Sequence, residues 1–266
     1  MKNTVFTGVA TAIVTPLNEK GIDFEKFGKL IDWQIEQGID ALVIAGTSGE
    51  ASTLTDEEHR EVIARVVKKA NKRVPVIAGT GSNDAAYAVE LTKYACEVGA
   101  DAMLVVTPYY NKATQNGLIK LFTTIADAST KPIILYNVPS RTGVNIKPET
   151  YAKLAEISNI VAIKEASGDI SAATKMMQLC GDFIDKCLFH RFVGELIGRN
   201  IGFSLFIGED VIGKAKFNSL FSDSVNGRVC NFKFAIVHTD KFFILFYKCV
   251  FRLGHNLYER SFVKRI

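Results

Sequence analysis

NIVAIKEAS, residues 159–167, is the stretch on which the reading of this chain turns. Val161, Ala162 and Ile163 form a short apolar run between polar residues, the pattern of a strand buried in a parallel sheet. Lys164 closes the run and is followed by Glu165, Ala166, Ser167 and Gly168. A lysine at such a place has two readings. Its head can sit in water just past the strand, which is the ordinary outcome. Alternatively it is an amine nucleophile held neutral by its surroundings, because a buried ammonium is costly unless it is paired or its pKa falls.

Working outward, runs like this one recur at Val9–Val14, Ala41–Ala45, Val74–Ala78, Ala102–Val106, Pro132–Tyr136 and Ile160–Ile163. They begin about 30 residues apart, the length of one strand–helix unit. Helical patterns fill the gaps. In DFEKFGKLIDWQIEQ (23–37), Phe24, Phe27, Leu30, Ile31 and Ile35 mark one apolar face, with Asp23 as cap and Gly38 as stop. TDEEHREVIARVVKKA (55–70) opens with Thr55 and Glu58 at capping-box spacing, with acids in its first turn and lysines in its last. Further helices fit Asp84–Val98, Thr114–Ala128, Pro148–Ile157 and Ile170–Leu179. Six such units in a row suggest a doubly wound sheet or a (β/α)8 TIM barrel. A dinucleotide fold places GxGxxG after its first strand, whereas here that strand leads into TPLNEKG (15–21). The barrel is the better fit, with two units unaccounted for.

The chain has 266 residues, 48% hydrophobic and 23% charged, a composition of globular proteins. The mixed N-terminal run carries four threonines and Pro16, unlike a signal peptide, and no stretch has the length of a membrane helix. Five cysteines without CxxC spacing indicate neither a metal site nor a disulfide framework, so a cytoplasmic setting is expected. A net charge of +4 is too small to suggest nucleic acid, and no membrane partner is expected.

That total hides a division. Residues 1–185 carry 19 Lys and Arg against 22 Asp and Glu, whereas residues 186–266 carry 13 against 6. All six prolines lie in the first stretch, and 13 of the 18 phenylalanines but only two alanines lie in the last 81 residues. The expected organisation is therefore six barrel units over 1–185, bearing the site motifs, and a divergent tail over 186–266.

A barrel gathers its reacting groups at the C-terminal ends of its strands. Those ends here are Thr15–Pro16, AGTSGE (45–50), AGTGSND (78–84), TPYYNK (107–112), LYNVPSRTG (135–143) and Lys164. Taken singly, each has a plain structural reading. The glycine turns are helix entries, Tyr109 and Tyr110 are packing residues, Tyr136 is a strand aromatic, Arg141 is a surface charge, and His59 is a solvated helix residue. A glycine-flanked hydroxyl pair can also offer backbone N–H groups to a carboxylate. The convergence of hydroxyls, tyrosines, an arginine and a lysine on one rim favours the chemical reading.

GTSGE, TPYYNKATQNGL, LYNVPSRTG and VAIKEASGD together resemble the pyruvate-dependent class I aldolase family, in family order and spacing, from about Phe6 to Asp185. PYYNK followed by TQ and GL, with NVPSRTG, is most similar to the branch that condenses pyruvate with aspartate 4-semialdehyde at the first committed step of lysine biosynthesis. It is less similar to N-acetylneuraminate lyase. The resemblance implies that Lys164 forms the Schiff base with pyruvate and that Tyr136 transfers protons. It implies that Thr47 links the relay and that Tyr110 is its third member, delivered by the neighbouring subunit of a homodimer or homotetramer. It further implies that Thr47 and Ser48 bind the pyruvate carboxylate and that Arg141 orients the second substrate. No metal or organic cofactor is implied. In lysine-inhibited relatives the effector site uses a histidine and a glutamate where this chain has Asp56 and Tyr87, although His59, Asn83 and Tyr109 are present. Insensitivity to lysine is the expectation.

After GDFID (181–185) the resemblance stops. KCLFHRFVGELIGRN (186–200) replaces the seventh unit, LFIGEDVIG (205–213) only echoes its turn, and FFILFYKCVF (242–251) is a dense β-prone run. The tail reads as out-of-frame translation joined to a family member. Six strands alone cannot close an eight-stranded barrel. The tail therefore either supplies two strands or leaves the polypeptide open and inactive. Reading the encoding DNA in the other frames beyond codon 185 is expected to restore a seventh strand; failure in both frames would refute the frameshift. Two rival readings are another family aldolase that splits a 2-keto-3-deoxy acid, and a non-catalytic product.

Overall fold

In a computed structural model of the chain, residues 4–180 are described, together with four short strands at 185–188, 205–207, 216–218 and 235–237. The first compact unit, Met1–Glu209, contains a closed barrel. Its strands are β1 (Val9–Ala12), β4 (Ala41–Ile44), β5 (Val76–Gly79), β6 (Ala102–Val106), β7 (Ile133–Asn137), β8 (Ile160–Glu165), β9 (Asp185–Leu188) and β10 (Leu205–Ile207). The six expected strands are the first six of these, parallel from neighbour to neighbour. A small hairpin, β2 (Leu17–Asn18) and β3 (Gly21–Ile22), follows β1 and lay outside the sequence reading.

The barrel closes with two strands from around and beyond the end of the family-like segment. β9 pairs in parallel with β8, while β10 runs antiparallel to both β9 and β1. Of the two outcomes the sequence left open, the structure has the closed barrel, with a reversed eighth strand where a (β/α)8 barrel has a parallel one. Closure removes the unpaired strand edges that an open six-stranded sheet would expose. The rest of the tail segments singled out in the sequence, residues 189–200, 208–213 and 242–251, lie outside the described residues. The second compact unit, Asp210–Ile266, contains one antiparallel pair, β11 (Lys216–Asn218) with β12 (Ala235–Val237).

Among the described residues, the α-helices follow their sequence signals except the four-residue one at Pro139–Thr142, which the sequence did not announce. They are α1 (Phe24–Glu36), α2 (Asp56–Ala70), α3 (Ala85–Glu97), α4 (Gln115–Ala128), α5 (Pro139–Thr142), α6 (Pro148–Ala155) and α7 (Ile170–Cys180). Asp23 caps α1 by accepting from the Lys26 N–H, and Gly38 beyond its end takes a φ of +83°. The Thr55–Glu58 capping box forms at the start of α2, a feature worth about 1 kcal/mol. Ala10, Ala12, Ala41, Ala102 and Ala162 share the barrel interior with Val43, Ile77, Leu104 and Ile134. Small residues on some strands leave room for large ones on others, as a tapering barrel requires. Among the described residues, no helix is long and apolar enough to cross a membrane.

Candidate active site

Lys164 does not lie past the strand end. It is inside β8, 2% exposed, and shares the barrel-facing side with Ala162 two residues earlier. Tyr136 pairs with it in register across β7 and is also buried, 4% exposed. The lysine Nζ stands 4.1 Å from the centre of the Tyr136 ring. Two buried polar side chains thus meet at adjacent strand ends, on the rim where barrel chemistry takes place. Burial pushes the Tyr136 phenol above its ordinary pKa, opposed by a hydrogen bond from the Thr47 side chain and by the positive charge of Arg141.

Thr47 and Ser48 lie on a 3-10 turn, Thr47–Gly49, just after β4. The chain enters it through Ala45 at φ +47° and leaves through Glu50 at φ +55°, two left-handed residues that fold the loop back sharply. The buried Thr15 hydroxyl, after β1, donates to the Gly49 carbonyl at 2.8 Å and ties the turn to the barrel. The Ala45 carbonyl also packs against Gly79, where an added Cβ would come within 2.1 Å of the Ala45 oxygen. Only glycine permits that approach.

Arg141 sits on the short helix α5, exposed at the rim. Its neighbour Thr142 is buried and accepts from the Thr107 hydroxyl at 3.0 Å, so the helix is braced against the end of β6. The same loop after β6 carries Tyr110, 88% exposed at φ +72°. Read singly, Tyr110 was a packing residue; it is the most exposed of the large hydrophobics described. The structure therefore brings together Lys164, Tyr136 and Thr47, with Ser48 on the same turn and Arg141 acting on the phenol, and leaves Tyr110 projecting from this chain.

His59 is a second correction. It is 4% exposed rather than solvated, and its Nε2 lies 2.9 Å from the Gly79 carbonyl. A carbonyl only accepts, so Nε2 carries the proton. Its Nδ1 lies 3.3 Å from the Tyr87 hydroxyl. Helical spacing placed His59 on α2 correctly but did not say that this edge of the helix lies over β5. Burial lowers the His59 pKa, partly offset by the Gly79 hydrogen bond. Burial, followed by the charge and hydrogen bond of Asp56, pushes the Tyr87 phenol up to about 12.

A polar cluster behind the rim also went unread. Glu165 and Asn137, the next register pair after Lys164 and Tyr136, face the helix layer and meet Tyr151 of α6. The only sequence signal was a pair of polar residues continuing two buried strands. Among the described residues, no three His, Cys, Asp or Glu side chains gather as metal ligands.

Barrel and rim together define a class, the (β/α)-barrels with a buried lysine–tyrosine pair at the mouth. The chain belongs to the Dihydrodipicolinate synthetase family, whose profile matches residues 5–185. The 4-hydroxy-tetrahydrodipicolinate synthase of Acetivibrio thermocellus is 57% identical over 180 residues, covering 68% of this chain and 61% of that protein. The enzyme of the same name from Geobacter metallireducens is 58% identical over 181 residues, covering 68% of this chain and 62% of its own. Among solved structures, the chloride-inhibited dihydrodipicolinate synthase from Acinetobacter baumannii complexed with pyruvate superposes with a TM-score of 0.68. It is 48% identical and covers 70% of this chain and 64% of that one. The chain thus spans about three-fifths of the length of the curated relatives it matches, and the family match ends where composition and charge change.

Proposed function

We propose that this chain condenses pyruvate with aspartate 4-semialdehyde to 4-hydroxy-tetrahydrodipicolinate, through a Schiff base on Lys164. The observation that carries this reading is the burial of the Lys164 amine beside the Tyr136 phenol. A neutral amine adds to the C2 carbonyl of pyruvate, and the resulting carbinolamine loses water when a donor protonates the departing hydroxyl. Tyr136 is that donor, re-protonated through Thr47. The iminium withdraws electrons from the methyl carbon, which gives up a proton and becomes an enamine. The enamine carbon then attacks the aldehyde carbon of the second substrate: the new C–C bond forms as the C=O π bond opens, the oxygen takes up a proton to become a hydroxyl, and the iminium on Lys164 is restored. Attack of the second substrate's amino group at the imine carbon closes the ring and releases Lys164 as the free amine.

Thr47 and Ser48 hold the pyruvate carboxylate, and Arg141 orients the carboxylate of the second substrate, for which a planar charged fork is suited. Tyr110, projecting from its own subunit, completes the relay of a neighbouring copy. The pyruvate complex of the Acinetobacter baumannii relative supports the first substrate. Nothing in this chemistry calls for a metal or an organic cofactor.

Incubation with pyruvate and borohydride is expected to reduce the imine and leave a stable adduct on Lys164. Addition of aspartate 4-semialdehyde is expected to consume both substrates. Trapping without consumption would favour an aldolase for a 2-keto-3-deoxy acid, and soluble folded protein that fails to trap would favour a non-catalytic chain.

We also propose that free lysine does not inhibit the reaction. Support comes from Tyr87, whose hydroxyl is engaged with His59, and from Asp56, whose carboxylate accepts from Arg60 through both oxygens at 2.9 Å. Steady-state rates should be unchanged by millimolar lysine; a rate halved there would refute the assignment.

A further inference from the structure

The cluster behind the Lys164–Tyr136 pair takes no part in the steps above. Glu165 is 7% exposed, and its carboxylate accepts from Asn137 Nδ2 at 3.0 and 3.1 Å, from the Tyr151 hydroxyl at 2.8 Å and from the Ser167 N–H at 2.8 Å. Asn137 is satisfied as well: its amide donates to Asn145 Oδ1 at 2.7 Å, and its Oδ1 accepts the Ile146 N–H at 3.1 Å. Every group touching the Glu165 oxygens is a donor. Burial, and after it the negative charge of Glu165, holds the Tyr151 phenol well above its ordinary range. Cys180 of α7 is the further titratable group acting on Tyr151. On the barrel side of the strand, Lys164 is faced by Tyr136, which in turn feels Thr47 and Arg141.

A buried anion therefore sits one residue from Lys164, on the opposite face of the same strand. Through a layer of low dielectric, such a charge favours positive charge on the other side. We infer that Glu165 is a positioning residue for the reacting amine: its network holds the last register pair of β7 and β8 in place, and its charge stabilises the cationic state of Lys164. This inference rests on the Schiff-base reading of Lys164. It assigns a role to a residue that touches no substrate.

The experiment is the pH dependence of borohydride trapping with pyruvate, using the full chain. Trapping requires the neutral amine, so it rises with pH through the amine's own titration. Glu165→Gln keeps the size and removes the charge, which should release the amine at lower pH. The trapping midpoint is expected to fall by about one pH unit. Glu165→Asp keeps the charge and is expected to retain the wild-type midpoint. It carries the test if the amide variant does not fold, and a displaced midpoint there overturns the inference. Equal midpoints in wild type and Glu165→Gln overturn this inference while leaving the Schiff base intact. Absence of trapping in the wild type overturns the Schiff-base reading and this inference with it.

Discussion

Lys164→Ala is expected to abolish borohydride trapping of pyruvate and the condensation that depends on it, while the barrel stays folded. The loss is expected to be complete rather than graded, because among residues 4–180 Lys164 is the only buried lysine. The fold should survive for a local reason. Alanine is at home in this barrel interior, where Ala162 and Ala166 flank the site, and the substitution leaves every backbone hydrogen bond of β8 in place. Removing a buried side chain leaves a cavity, but it also removes an amine that is costly to desolvate, and the two effects oppose each other. The measurement is mass spectrometry of the reduced adduct, with circular dichroism on the same sample. Labelling that persists in a folded Lys164→Ala variant would show that the imine forms elsewhere.

Tyr136→Phe is the second large effect. The ring still fills its place beside the lysine, so packing is preserved, but the proton donor proposed for carbinolamine dehydration is gone. Removing a general acid of this kind costs about 10²–10⁴-fold in kcat. KM for pyruvate should change little, since the turn proposed to hold the carboxylate, at Thr47 and Ser48, lies on another strand end. The pH dependence has a defined sign. Burial raises the Tyr136 pKa, so the phenol stays protonated through neutral pH and activity is lost only as pH rises through a value above that of an ordinary tyrosine. Thr47 opposes that rise; Thr47→Val should therefore move the alkaline limit further up, on top of any loss of rate. A variant Tyr136→Phe with wild-type kcat would remove the tyrosine from the mechanism.

The parts of this protein that were legible beforehand share a physical character. The six strands and the helices between them announce themselves through apolar spacing within each element, and the caps at Asp23 and Thr55 are contacts between residues three apart. The rim residues were legible because a barrel's topology sends all of its strand ends to one side, so motifs far apart in the chain are known to converge. His59 was misread because spacing assigns a residue to a face of its helix but not to the strand beneath that face. The Glu165–Asn137–Tyr151 cluster was unread for a related reason: its members lie on two strands and a helix, and each looks unremarkable until the three are packed together.

The sequence by itself determined the class of fold, the order of its units and the residues offered to the rim, because these follow from side-chain periods of 2 and 3.6 and from the handedness of strand–helix connections. Only the tertiary structure decided that Lys164 is buried against Tyr136, that the Glu165 carboxyl lies behind it ringed by hydrogen-bond donors, and that a parallel and an antiparallel strand close the barrel. These depend on which distant groups meet in a space without water, where a charge or an unpaired backbone group has a cost that no local pattern records.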